Sequence, residues 1–224
     1  MRLTNVSEKA SYNKISGFNK ANNYSYAINT KADVISFLAK DSEQIKQLEK
    51  EAKLLRVKAN YGDNIFLAKL VNEALKDVKA ACYKLPKKII YATGDYKGHN
   101  AFTRGANIYL NPDYNWQGLA SMTKRNYSAG YTSTDNPKHN IYHEIGHAIH
   151  QRCHPIKFLN LVLSGTRFSP DEQVYISTQV SIYAAKTVFE FVAEVFAGQM
   201  AGKKYPEDIM KYYYELGGPE SKTR

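Results

Sequence analysis

Three observations in the sequence predict an α+β fold, mainly helical, with a small β-sheet next to one helix. Apolar residues recur at helical spacing over several stretches, two short β-rich runs lie between them, and one later stretch pairs two histidines four residues apart. The 224 residues suffice for one domain with a real core, and 43% hydrophobic content is that of a globular chain. Residues 1–35 read as an irregular N-terminal arm, 36–219 as the folded domain and 220–224 as a disordered tail.

The arm is rich in Asn, Ser, Lys and Tyr without sustained periodicity. Asp41 and Ser42 are suited to cap a first helix in which Ile45, Leu48, Ala52 and Leu55 form a stripe. Asp63 is suited to cap a second, where Leu67, Leu70, Val71, Ala74, Leu75, Val78, Ala81 and Cys82 keep a helical period up to Pro86. Residues 88–93 then read as a strand, 94–98 as a turn and 106–111 as a second strand stopped by Pro112. Residues 113–136, with Gly118, Gly130 and the single tryptophan Trp116, read as a long loop beside a cleft, the tryptophan being a packing anchor more often than a pocket wall. Asp135 and Asn136 before Pro137 mark the start of the next helix. Residues 157–163 extend an apolar surface and 164–171 are loop-like, a connection suited to form a wall or lid. Residues 206–216 form a last short helix closed by Gly217-Gly218-Pro219, and its three consecutive tyrosines, 212–214, cannot all be buried.

The net charge of +10 and eighteen tyrosines invite a nucleic-acid reading. The lysines are scattered without a nucleic-acid motif, so the charge points instead to an acidic partner or an anionic surface. Cys82 and Cys153 form no metal pattern or disulfide framework and suit a reducing compartment. The N-terminus lacks the apolar run of a signal peptide, and no stretch approaches membrane-spanning length. These features predict a protein that stays cytoplasmic where it is synthesised, with virion association or export by another route left open.

The stretch His143-Glu144-Ile145-Gly146-His147 carries the chemistry. Residues i and i+4 share a helix face, so both imidazoles can hold one zinc ion while Glu144 reaches a water activated by it. Gly146 and Ala148 leave room for another element to approach closely. A catalytic zinc takes three protein ligands, so a third must come from elsewhere. The segment 182–198 is nearly all apolar, reads as one helix, and carries Glu190 and Glu194 on one face. Burying two carboxylates there costs several kcal/mol each unless a metal or hydrogen-bond partner compensates. We assign Glu190 as third ligand and Glu194 as an acceptor from the free ring nitrogen of His143 or His147; the spacing alone does not fix which glutamate ligates. His139, His150 and His154 flank the motif and read as solvated or locally bonded side chains.

These two blocks, His143-Glu-Ile-Gly-His147 and Tyr183-x6-Glu190-Phe-x-Ala-Glu194-x-Phe196, resemble the catalytic domain of the anthrax lethal factor and Pro-Pro endopeptidase group of zinc peptidases. The resemblance covers roughly a quarter of the chain, and both blocks together make it specific. It implies a zincin-like metallopeptidase domain with Zn2+ as cofactor. It favours Glu190 over Glu194 as ligand and casts Tyr183 as a hydrogen-bond donor to the transition state. In zinc peptidases with this helix motif an edge strand runs above the metal, and residues 106–111 are the candidate by analogy. The expectation is a zinc-dependent endopeptidase acting on a protein or peptide, with Glu144 and Tyr183 catalytic, His143, His147 and Glu190 on the metal, and Glu194 behind them. The alternative is a basic binding or assembly protein, phage-associated as similar domains are, with a structural or idle zinc site.

Overall fold

The computed structural model describes residues 31–221, with side-chain surroundings from residue 40 onward. The expected arm lies outside the described residues over 1–30, as does the tail over 222–224. Eight helices and four short strands follow in mixed order, α1 (Lys31–Leu54), β1 (Lys58–Asn60), α2 (Ile65–Ala80), β2 (Lys88–Tyr91), β3 (Ala101–Arg104), β4 (Asn107–Leu110), α3 (Leu119–Ser128), α4 (His139–Cys153), α5 (Pro155–Ser164), α6 (Pro170–Gln179), α7 (Val188–Met200) and α8 (Glu207–Glu215). The described part is thus mixed α and β, mostly helical, with one small sheet.

Several boundaries differ from the sequence expectation. No glycine or proline interrupts residues 31–54, so α1 runs straight through Asp41 and Ser42, which cap nothing. The cap of α2 is Asn64, whose side chain accepts from the Leu67 amide, and the helix ends at Ala80, well short of Pro86. Its stripe is core as expected, with Leu67, Val71, Ala74, Leu75 and Val78 fully buried. The stretch expected as a loop contains α3, and the loop-like 164–171 ends in α6. The latter starts on a capping box, Ser169 bonded to the Glu172 amide and Glu172 to the Ser169 amide, with Pro170 in the first turn.

The sheet order is β1-β2-β4-β3. The two expected strands, β2 and β4, are neighbours and parallel, pairing Ile89 with Ile108 and Tyr91 with Leu110. The expected edge strand 106–111 is therefore internal. Among the described residues the edges are β1 and β3, and β3 returns antiparallel on β4, pairing Thr103 with Ile108. Four residues, Ala-Phe-Thr-Arg, carry too little pattern to announce a strand; the pairing partner makes them one.

The sheet and α2 pack around α4, which in turn lies along α7 in the most extensive helix pairing of the molecule. Ile145, Ile149, Val192 and Phe196 are fully buried between them. Gly146 makes this approach possible, because a Cβ there would lie 3.1 Å from the Ala193 Cα and 3.1 Å from the Phe196 ring. Trp116 is buried and donates from Nε1 to the Asn111 carbonyl at 2.8 Å, a packing anchor. In α8, Tyr213 is buried and Tyr214 is 43% exposed, so the tyrosines divide as expected. Cys82 and Cys153 form no disulfide. No helix among the described residues is long and apolar enough to cross a membrane.

Candidate metal centre

The facing sides of α4 and α7 build the site from a shared spacing. On α4, His139, His143 and His147 follow at four-residue steps; on α7, Glu190 and Glu194 do the same. His147 meets Glu190, His143 lies within 3.0 Å of both glutamates, and His139 meets Glu194. The helices thus run antiparallel here, and equal rises of about 6 Å per step keep the two sets in register.

At one level, Nε2 of His143 lies 3.0 Å from Oε2 of Glu190 and 3.0 Å from Nε2 of His147, which is 3.3 Å from the same carboxylate oxygen. Three corners of a tetrahedron with bonds of about 2.0–2.1 Å to a central zinc are about 3.3 Å apart, so the triangle is nearly that of three zinc ligands. Two imidazoles and one carboxylate are also the donor set such a site uses.

The next level orients the first. Nδ1 of His143 lies 2.8 Å from Oε1 of Glu194, and Nε2 of His139 lies 3.0 Å from the same oxygen. The other oxygen, Oε2, accepts from the Ser133 amide at 2.7 Å and the Ser181 hydroxyl at 3.0 Å. Burial of Glu194 is complete and would push its carboxyl up, but His139 and His143 outweigh this and hold it well below the usual range. An ionised carboxylate only accepts, so the proton sits on Nδ1 of His143 and leaves Nε2 to face Glu190 and His147.

His139, His143 and Glu194 are themselves spaced to hold an ion. All three are buried, though they line one of the hollows, and they offer only three side chains, whereas a structural zinc needs four. His143, His147 and Glu190 together line one open hollow, which a ligand could enter, and His143 lines a second as well.

Burial pulls His143 down as a base, yet hydrogen bonds to Glu190 and Glu194 raise it well above the ordinary histidine value. Burial raises Glu190, and its bonds to His143 and His147 lower it further than that. A cation entering the triangle therefore competes with a proton on His143.

The catalytic candidates sit on either side. Glu144 is buried, and its Oε2 accepts from the Thr103 hydroxyl of β3 at 2.7 Å. Tyr183 does not share a helix with Glu190, because the predicted helix over 182–198 breaks at Thr187. That residue is extended (φ −152°, ψ 159°), and its hydroxyl caps α7 by accepting from the Glu190 amide at 3.1 Å. Tyr183 precedes a single 3-10 turn, Ala184–Lys186, and its amide bonds to the Tyr131 carbonyl at 3.1 Å. Its ring lies 5.5 Å from that of His143. Burial first, then Glu190 and Glu144, keep its hydroxyl protonated far above the usual tyrosine value.

Among the flanking histidines, His154 is exposed as expected, but His139 and His150 are buried. His139 belongs to the Glu194 cluster, and its place one helical step before His143 was the available signal. His150 bonds to the distant Leu216 carbonyl at 2.9 Å. Thr103, Ser133 and Ser181 carried no sequence signal, since each is set by a partner more than ten residues away.

Two hollows meet at this centre. One, of about 350 Å³, is bounded by His139, Tyr131, Asn126 and Lys186. The other, of about 340 Å³, is bounded by Phe102, Thr103, Phe158, Phe189 and Glu190. His143, Glu144 and Tyr183 line both. No protein-family model, curated protein or solved structure matches the chain.

Proposed function

We propose that this chain is a zinc-dependent endopeptidase with a zincin-like fold. The observation that carries the reading is the convergence of His143 Nε2, His147 Nε2 and Glu190 Oε2 within 3.0–3.3 Å of one another, beside Glu144 in the wall of an open hollow. The resemblance of both sequence blocks to the lethal factor and Pro-Pro endopeptidase group agrees with it. A zinc ion at these three atoms supplies Lewis acidity, polarising a substrate carbonyl and lowering the pKa of a water toward about 7.

The protein's own residues do the rest. Glu144 takes the proton of the attacking water and returns it to the departing amine. Thr103 holds Glu144 by one carboxylate oxygen, leaving the other to face the reaction. Tyr183, held protonated, donates to the oxygen that becomes negative at the scissile carbonyl. Glu194 fixes the ring of His143, and the free edge of β3 accepts an extended peptide as one further strand.

The test is a peptide-library cleavage assay with and without chelator, on wild type and Glu144→Ala. Wild type cleaves and chelator stops it, while Glu144→Ala binds metal as wild type does and cleaves nothing. Proteolysis by metal-loaded Glu144→Ala contradicts the assignment. A wild type that cleaves no peptide contradicts the peptidase reading.

A further inference from the structure

The two hollows differ in chemistry. The one under β3 has Phe102, Phe158 and Phe189 in its wall, whereas the other holds Lys186 together with Asn126, Asn140 and Thr132. Among the described residues Lys186 is the only lysine or arginine lining it. Its ammonium donates to the Tyr131 hydroxyl at 2.7 Å, and lies 4.4 Å from the Tyr183 ring centre and 5.0 Å from that of Tyr131. Two aromatic faces and one hydroxyl thus hold a flexible side chain in place at the reaction centre, and the other two N–H groups of the ammonium stay available. Among the described residues no carboxylate pairs with it. Of the acidic groups in the same wall, Glu194 is engaged by two histidines and two serines, and Glu144 is held through one oxygen by Thr103.

Resting on the peptidase reading, we propose that this hollow is an anion subsite. Lys186, with the neighbouring amides, binds a carboxylate of the substrate on one side of the scissile bond. The carboxylate comes from an aspartate or glutamate side chain or from the end of the peptide chain; both present the same group to an ammonium. The net charge of +10 adds general attraction for acidic peptides, but only Lys186 places a charge at one subsite.

Quenched-fluorescent peptides test this with Glu against Gln at each position, and with free against amidated C-termini. The proteins are wild type, Lys186→Arg, Lys186→Gln, Lys186→Glu and Lys50→Gln, the last removing an equal charge from α1, which packs on α2 and β1 away from the cleft. The expected result is a preference for the carboxylate of about tenfold or more in kcat/KM at one position, as one charge-assisted hydrogen bond gives. Lys186→Arg and Lys50→Gln keep the preference, Lys186→Gln loses it, and Lys186→Glu turns it toward Lys. A preference that follows the free terminus identifies the chain end as the source, and one that follows Glu identifies the side chain. Undiminished preference in Lys186→Gln, or none in wild type, overturns the proposal while cleavage itself upholds the peptidase. Fluorescence anisotropy of labelled peptides on wild type reads the same ratio without turnover. Carboxylate-dependent binding without cleavage keeps the subsite and ends the peptidase reading, and no binding at all ends the subsite as well.

Discussion

Thr103 of the sheet hydrogen-bonds the candidate base. Its hydroxyl carries a single hydrogen, and the Glu144 carboxylate at 2.7 Å is the nearer and, as an anion, the stronger acceptor than the Glu144 carbonyl at 3.0 Å, so it pins the base. Thr103→Val should let Glu144 rotate and lower kcat on the order of tenfold, with metal content unchanged. Steady-state kinetics beside elemental analysis decide this, and an unaltered kcat would mean that packing alone holds Glu144. The candidate histidines were legible because one helix face concentrates them at a fixed period. Thr103 was illegible because its role exists only after β3 has paired with β4 and crossed α4.

Gly146 decides how closely α4 and α7 approach. Alanine there gains about 1 kcal/mol of helix propensity, and overpacking costs about 1–3 kcal/mol. The neighbour at 3.1 Å is the Ala193 backbone, which cannot rotate away, so overpacking wins. Gly146→Ala should therefore lose about 1 kcal/mol in denaturant unfolding and bind metal more weakly, since Glu190 moves with α7. Wild-type stability and affinity together would show that the helices can separate at no cost. His150 joins α4 to the end of α8 and carries a pH dependence. Burial, chiefly, pushes it down to about 4, below its ordinary 6.5. A depressed histidine contributes stability that is full above about 6.5 and is lost as pH falls toward 4, amounting to about 2 kcal/mol by pH 5. His150→Gln can still donate to the Leu216 carbonyl but does not titrate, so wild type should weaken against it between pH 7 and pH 5. Parallel pH slopes of the two in urea unfolding would place the titration elsewhere. Helices α2, with its apolar stripe, and α8, with its closing Gly217-Gly218-Pro219, were legible because their signals are local. The capping box of α6 was equally local and was passed over, whereas β1, β3 and the strand order depend on pairing across the chain, which no local pattern carries.

Across the whole molecule, three histidines and two glutamates are the least expected content of a core, and they are affordable only as one interlocked ladder between antiparallel helices. Each partner compensates another: Glu194 meets His139 and His143, and Glu190 meets His143 and His147. The sheet sets the free strand β3 against one side of this ladder, and the segment from α3 to Tyr183 closes the other, so the cleft lies where the base, the metal ligands and Lys186 converge. Metal content measures this arrangement most directly. Elemental analysis should find one zinc per wild-type chain and little or none in Glu190→Ala, with both folded by circular dichroism. A folded Glu190→Ala that retains stoichiometric zinc, or a wild type that takes up none, would contradict it.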